Sequence, residues 1–184
     1  MASAFTHAFA ALGIGTCFYK PNISKSVWIA GMLCAALPDI DSIGFRFHIP
    51  YASFWGHRGF THSLVFAIFL ALVATALIAL CSRPENRPAQ LFLYLFLATA
   101  SHGVLDAMTN GGLGVAFFSP FSNHRYFFPF HPIQVSPISV SRFFSPKGLS
   151  ILQSEFLWVW VPTTIFSVAV LFLRKIKHHE AATT

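Results

Sequence analysis

Residues 57–81 read HRGFTHSLVFAIFLALVATALIALC, and this stretch decides the fold class of the chain. Its last 18 residues, Leu64–Cys81, carry no charged side chain. About 20 apolar residues in helical form are enough to cross the roughly 30 Å hydrocarbon core of a bilayer. Two imidazoles, an arginine and a threonine stand directly before this run. The stretch therefore predicts a membrane-spanning helix with ionisable groups gathered at one end.

The whole chain has a membrane-protein composition. Of its 184 residues, 55% are hydrophobic and 10% are charged, whereas an average soluble domain is about 25% charged. Four further apolar segments predict helices over residues 4–19, 27–37, 91–108 and 156–173. We therefore expect an all-α, multi-pass membrane bundle of about five helices, in a single domain over residues 1–184. A proline- and aromatic-rich outer loop is expected over residues 111–154.

The positive charge is read as a topology signal. The net charge is +6, but the twelve basic residues are spread along the chain, whereas nucleic-acid sites are clustered patches, so no nucleic acid is expected as a partner. With five spans and a cytoplasmic C-terminus, seven basic residues lie inside: Lys20, Lys25, Arg83, Arg87, Arg174, Lys175 and Lys177. Five lie outside: Arg46, Arg58, Arg125, Arg142 and Lys147. This bias follows the positive-inside rule.

In this topology, seven histidine and aspartate side chains fall at helix ends on the outer face of the membrane. They are His7, Asp39, Asp41, His57, His62, His102 and Asp106. His102 and Asp106 are four residues apart, so they stand one turn above another on the same helix face. The convergence of ligands from four separate segments predicts a shared metal site at the outer face of the membrane.

Local patterns refine the expected positions of these groups. Asp39 and Asp41 follow a proline and are expected on extended chain, where residues two apart face the same side. Thr61 is a good N-cap residue, which predicts that His62 opens the third helix and that His57 lies on the preceding loop. Glu155 is expected at the start of the last helix, where its charge favours the helix N-terminus.

The ligand types point to particular metals. Imidazole and carboxylate together suit zinc first, with manganese or iron(II) as alternatives, since calcium and magnesium prefer oxygen ligands. Seven candidates exceed the need of one tetrahedral ion, so one or two ions are expected. The expected ligands are Asp39, His57, His62, His102 and Asp106. His7 and Asp41 would complete a second site or support the first.

Metal-assisted hydrolysis is the chemistry that such a site supports, since a bound ion lowers the pKa of water toward about 7. Asp41, Arg58 and Arg125 are the further catalytic candidates. The planar fork of arginine matches an anionic group such as a phosphate. The location favours membrane lipids as partners and a phosphoester or lipid-linked ester as substrate. The sequence leaves the oligomeric state open.

Two other functions remain open at this point. One is a metal-binding or ion-transporting membrane protein without hydrolytic activity, although transporters usually hold ligands near the bilayer midplane on broken helices. The other is a structural membrane subunit, in which the same side chains would serve stability.

Four motifs carry a resemblance to a known family: THAF, LPDID, GHRGFTHSL and SHGVLDAMTNGG. Together they resemble the YdjM/YbcI-type inner-membrane metal-dependent hydrolase family over nearly the whole chain, including SEFLWVWVP near the last helix. The resemblance implies a multi-pass bacterial inner-membrane protein with a bound metal and hydrolase chemistry. The outer face that carries the site would then be the periplasmic face of that membrane. It places the family's pattern on the same seven histidine and aspartate residues, and it implies no substrate.

Overall fold

The fold was obtained as a computed structural model. The structure describes residues 1–19, 23–81, 87–137, 143 and 145–183, with side chains as far as residue 176. Lys20, Arg83, Arg142 and the side chain of Lys177 lie outside these ranges, so their share in the charge bias stays a prediction.

Five long helices form the described part of the chain. They are α1 (Ala4–Phe18), α2 (Lys25–Ala36), α3 (Leu64–Cys81), α4 (Pro88–Ala107) and α5, which runs through Pro146–Glu155, Phe156–Trp160 and Val161–Thr183. Two 3₁₀ segments, Leu37–Phe47 and Phe60–His62, join α2 to the loop and the loop to α3. The described ranges contain two isolated β-bridges and no strand. The predicted all-α bundle of five helices is confirmed.

Four helical stretches are long and apolar enough to cross a membrane. They are Lys25–Phe47, Leu64–Cys81, Pro88–Ala107 and Pro146–Ile176. The predicted third span matches α3 residue for residue, and α1 is apolar but shorter, with 15 residues. The last helix begins at Pro146, ten residues before the predicted apolar segment. The expectation that Glu155 opens this helix is therefore wrong, because Glu155 lies inside it.

The helices pack through small side chains around α4. A buried cluster joins α1, α2, α3 and α4, and it contains Ala11, Val27, Cys34, Ala35, Ala71, Leu91, Tyr94, Leu95 and Ala98. Gly31 of α2 lies directly against the phenol of Tyr94, where a Cβ would clash. Gly13 of α1 lies in the same way against Thr163 of α5. Small residues let membrane helices approach closely, so these contacts set the spacing between α2 and α4 and between α1 and α5.

The chain reverses direction from each helix to the next. The N-termini of α1 and α3 and the C-termini of α2 and α4 therefore meet at one end of the bundle. The segment after α4 covers this end: Leu64 N donates to Phe117 O, and Ala116 N donates to Arg58 O. A group of the molecule's buried polar residues lies at this end of the bundle.

Candidate metal centre

Two of the candidate ligands come from the last turns of α4. His102 and Asp106 are both fully buried. Helical spacing of four residues points both side chains into the bundle, as predicted. In a lipid environment, buried ionisable groups need partners, and these two find them on the neighbouring segments.

The two aspartates after Pro38 lie on the 3₁₀ helix Leu37–Phe47, so the expectation of extended chain is wrong. A 3₁₀ helix has three residues per turn, so residues two apart point in different directions. Asp39 Oδ1 lies 3.3 Å from His102 Nε2, whereas Asp41 Oδ1 lies 2.6 Å from His57 Nδ1. The nearest imidazole is therefore that of His102 for Asp39 and that of His57 for Asp41, and the two carboxylates approach His62 from its opposite nitrogens.

The segment before α3 also differs from its prediction. His62 ends the short 3₁₀ turn Phe60–His62, and α3 begins two residues later at Leu64. Phe66 N donates to Ser63 Oγ at 3.1 Å, so Ser63 supplies the N-cap. Thr61 Oγ1 instead donates to Asp41 Oδ2 at 2.5 Å. The expectation that Thr61 caps the helix is wrong, because its hydroxyl is used by the carboxylate.

Four buried side chains meet as one candidate ligand set: Asp39, His62, His102 and Asp106. One ligand atom from each lies within 4.8 Å of all the others. His62 Nε2 is 3.0 Å from His102 Nε2, 3.5 Å from Asp106 Oδ2 and 3.6 Å from Asp39 Oδ1. Zinc bonds of about 2.0–2.2 Å in a tetrahedron place ligand atoms about 3.3–3.6 Å apart. The distances from the two Nε2 atoms to the rest of the set run from 3.0 Å to the 4.0 Å between His102 Nε2 and Asp106 Oδ2 and bracket this spacing, so small side-chain shifts would suit one tetrahedral ion.

The hydrogen-bond partners determine which nitrogens face the centre of this set. His102 Nδ1 lies 2.7 Å from Ala35 O, and His62 Nδ1 lies 3.1 Å from Asp41 Oδ2. Thr61 Oγ1 also lies 3.1 Å from His62 Nδ1, and because it donates its proton to Asp41 Oδ2 it accepts from this nitrogen. All three oxygens accept, so both Nδ1 atoms carry the proton. In the neutral imidazoles the two Nε2 atoms are then acceptors that face one another. Such an arrangement requires a cation, a proton or a metal ion, between them.

The carboxylates of the set also indicate a bound cation. Asp39 Oδ1 and Asp39 Oδ2 are buried and have no hydrogen-bond partner within the described ranges. Asp106 Oδ2 has none either, but it is paired in charge with Arg58, whose Nε lies 2.9 Å away. Burying a carboxylate oxygen without such a partner is costly, so buried charges are usually paired or coordinate metals. The donor set therefore fits a divalent ion held by two imidazoles and two carboxylates.

Asp41 forms a second group with His57 and His62. Besides the two imidazoles, its carboxylate accepts from Arg58 N at 3.1 Å and from Thr61 Oγ1 at 2.5 Å. Carboxylates that accept from the far nitrogen of a ligating histidine fix its tautomer and orientation. Asp41 is placed for that task, and His57 is brought to Asp41 rather than to the four-ligand set.

His7 approaches the set from α1. Its ring stacks on that of His102 with the centroids 3.7 Å apart, and its Nε2 lies 3.5 Å from Asp106 Oδ1. The amide of Ala2 donates to the same Asp106 Oδ1 at 2.7 Å. His7 thus faces the oxygen of Asp106 that is turned away from His62.

The two arginines contact protein groups. Arg58 is fully buried with a left-handed φ of 61°, and its Nε lies 2.9 Å from Asp106 Oδ2. Its terminal nitrogens donate to Gly111 O and Thr109 Oγ1, both at 2.8 Å. Arg125 is half-buried and donates to His57 O and Tyr51 O, both at 2.9 Å. Their proposed contact with an anionic substrate stays a prediction.

The charges around His62 set its protonation. Burial disfavours the imidazolium, but the carboxylates of Asp106, Asp39 and Asp41 outweigh burial and hold the pKa of His62 well above its ordinary value. A proton on His62 therefore occupies the space between the two Nε2 atoms when no metal ion does.

The structure brings all seven predicted histidine and aspartate residues to one end of the bundle. Their division into a four-ligand set, the Asp41 group and His7 was not predicted. Sequence reasoning also missed the roles of Thr61 and Glu155, since each had a sufficient local explanation. The signal in the sequence was a carboxylate that stands directly before the apolar segment 156–173, in SEFLWVWVP.

Comparison with known proteins gives three findings. A profile of the YdjM inner membrane protein family matches residues 1–180, which include every candidate ligand. Inner membrane protein YbcI of Escherichia coli (strain K12) is 39% identical over 164 residues, covering 88% of this chain and 92% of that protein. The uncharacterized protein YvsG of Bacillus subtilis (strain 168) is 33% identical over 95 residues, covering 48% of this chain and 54% of YvsG. No solved structure matches the chain significantly.

Proposed function

Because the chain belongs to the YdjM family of inner membrane proteins, we propose that it is a membrane-bound metal-dependent hydrolase. Zinc is the proposed ion, with manganese or iron(II) as alternatives, held by Asp39, His62, His102 and Asp106. The observation that carries the proposal is the pair of buried acceptor nitrogens, His62 Nε2 and His102 Nε2, only 3.0 Å apart beside the Asp39 carboxylate, which has no hydrogen-bond partner within the described ranges.

A divalent ion at such a site supplies Lewis acidity and lowers the pKa of water for attack on an ester or phosphoester. The chain's own residues provide the orientation. Ala35 O and Asp41 hold the two imidazoles by their Nδ1 atoms. Arg58 balances the negative charge of Asp106 inside the bundle. Asp41 and Arg125 remain the proposed groups for proton transfer and for recognition of an anionic substrate.

The proposed substrate is a phosphoester or a lipid-linked ester. Support comes from location, since the ligands lie at the ends of helices that are long enough to span a membrane. If these helices cross the membrane in the proposed orientation, the site would lie near the lipid headgroups and at the opposite ends of the helices from the cytoplasm. The proposed orientation directs it to the periplasm.

One observation favours a second candidate, a metal-binding or ion-transporting protein without hydrolytic activity. Four protein ligands fill a tetrahedron, and closed sites of this kind are usually structural, whereas catalytic zinc keeps an open position. Hydrolysis at this site requires a fifth position at the ion or the withdrawal of one carboxylate. Phosphoester and carboxyl-ester panels, run with and without chelator, separate the two candidates. An inert protein that moves ions in liposomes would favour the second.

The metal assignment is tested with His102→Ala and Asp106→Ala in detergent-purified protein. Both variants should lose most of the bound metal by elemental analysis, since each loses a ligand. His124→Ala is the matched control, because His124 is an exposed imidazole on the outer loop. Full metal occupancy in both ligand variants would refute the assignment. Loss of helical structure with unchanged metal content would instead indicate a structural role.

A further inference from the structure

Glu155 is a fully buried carboxylate that the proposed chemistry does not use. It lies in α5, directly before the π turn Phe156–Trp160. Its Oε1 accepts from Ser3 N at 2.5 Å, and its Oε2 accepts from Ser3 Oγ at 2.6 Å and from Thr6 Oγ1 at 2.7 Å. Three donors from the first turn of α1 thus converge on one side chain of α5.

The π turn explains how two side chains of α5 form hydrogen bonds with the same turn of α1. Trp160 Nε1 donates to Thr6 Oγ1 at 2.8 Å, so Glu155 and Trp160 share Thr6 as a partner. In an α-helix, residues five apart are separated by about 140° and face different sides. In a π turn, the i→i+5 hydrogen bond brings such residues onto one side. The local change of helix type therefore aims both side chains at α1.

The first turn of α1 and the residues before it also contact the candidate metal centre. Ala2 and Ser3 donate their consecutive amides to two different carboxylates, Asp106 Oδ1 and Glu155 Oε1. One turn later, His7 stacks on His102 and lies 3.5 Å from Asp106 Oδ1. The position of the α1 N-terminus therefore determines how one oxygen of Asp106 is held, and with it where the other oxygen points.

We propose that Glu155 and Trp160 are positioning residues for the metal centre. By fixing the first turn of α1, they hold the Ala2 amide and His7 against Asp106 and so keep Asp106 Oδ2 in the ligand set. Outer residues of metal sites commonly change metal affinity by about 10–100-fold. This inference rests on the proposed metal site.

The test is a titration of metal-free, detergent-purified full-length protein with Co²⁺ as the probe, followed by its visible absorption. Glu155→Gln keeps the size of the side chain but places an amide donor among hydroxyl donors. We expect it to bind Co²⁺ at least about 10-fold more weakly than the wild type. The intensity of the tetrahedral visible bands should also change, which a purely structural role would not require in a protein with wild-type helicity. Glu155→Asp, which keeps the carboxylate, should recover part of the affinity.

Trp160→Phe provides a second test if the Glu155 variants fail to fold, because it removes only the indole donor. A several-fold loss of affinity is expected for it. Trp158→Phe is the matched control on the same π turn, because Trp158 is 43% exposed. This variant should bind Co²⁺ with wild-type affinity. If both Glu155→Gln and Trp160→Phe show wild-type affinity and spectra, the positioning role is overturned, while the proposed metal site still stands. A wild-type protein that binds no Co²⁺ would contradict the metal site itself, and the inference with it.

Discussion

At the level of single residues, the Asp41 carboxylate is placed to control two imidazoles at once. His57 Nδ1 lies 2.6 Å from one of its oxygens, and His62 Nδ1 lies 3.1 Å from the other. Thr61 and the Arg58 amide add two more donors. The carboxylate therefore sets the tautomer of His62 without itself joining the four-ligand set.

Asp41→Asn tests this role. The amide nitrogen would face donors, so the His62 ring would lose its fixed tautomer while all four ligands remain. We expect metal affinity to fall by about 10–100-fold, measured by competition with a chromophoric chelator. Ser42→Ala, on the same 3₁₀ helix, serves as the control and should bind metal normally. An Asp41→Asn protein with wild-type affinity would rule out the orienting role.

The raised pKa of His62 predicts a pH dependence. Because the carboxylates of Asp106, Asp39 and Asp41 raise the pKa of His62 well above its ordinary value, the metal-free protein should carry a proton there at neutral pH. A binding metal ion must then displace this proton. Metal affinity should therefore increase as the pH rises toward the folded-state pKa of His62. Calorimetry in buffers of different ionisation enthalpy should show protons released on binding, and binding without proton release would contradict the assignment.

The same pKa has a consequence for the metal-free fold, with the opposite sign. A raised folded-state pKa stabilises the fold fully below the unfolded pKa of histidine, and this contribution is lost as the pH rises through the folded value. Thermal unfolding of the apoprotein should therefore occur at lower temperature at alkaline pH, with metal restoring the loss.

At the level of helices, prediction succeeded where the pattern was uniform and failed where two local explanations competed. Leu64–Cys81 is apolar throughout, so its bounds follow from composition. Thr61 and Ser63 are both good N-cap residues, and only the position of Asp41 in space decides between them. Residues 146–155 mix polar and apolar side chains, so no continuous apolar run indicates that α5 begins before Phe156.

Ser63→Ala and Thr61→Ala should separate capping from metal binding. Loss of the Ser63 cap should cost about 1 kcal/mol of stability and lower the unfolding temperature, with little change in metal affinity. Thr61→Ala should weaken metal binding through Asp41 and should leave the start of α3 intact. Equal effects of the two changes on both readouts would contradict this division of roles.

At the level of the whole molecule, the alternation of five helices determines where the ligands meet. Because neighbouring helices run in opposite directions, a sequence with polar groups at alternate helix ends must gather them at one end of the bundle. This much could be predicted from spacing alone. The pairing of individual groups could not, since it depends on the rotation of the 3₁₀ segment and on the π turn of α5.

The proposed periplasmic orientation can be tested by cysteine accessibility. In a cysteine-free background, Asn123→Cys on the exposed outer loop should react with a membrane-impermeant thiol reagent added to intact cells. Lys175→Cys, exposed near the other end of α5, should react only after the membrane is permeabilised. The reverse pattern would place the metal centre on the cytoplasmic side.

X-ray absorption at the zinc edge of the purified, zinc-loaded protein tests the central claim most directly. The account predicts about four nitrogen and oxygen ligands at roughly 2.0–2.2 Å, with the outer scattering of two imidazole rings. His62→Ala should lose one of those two rings. A sulfur-containing first shell, a shell without imidazole, or zinc removed by a simple desalting step would contradict it.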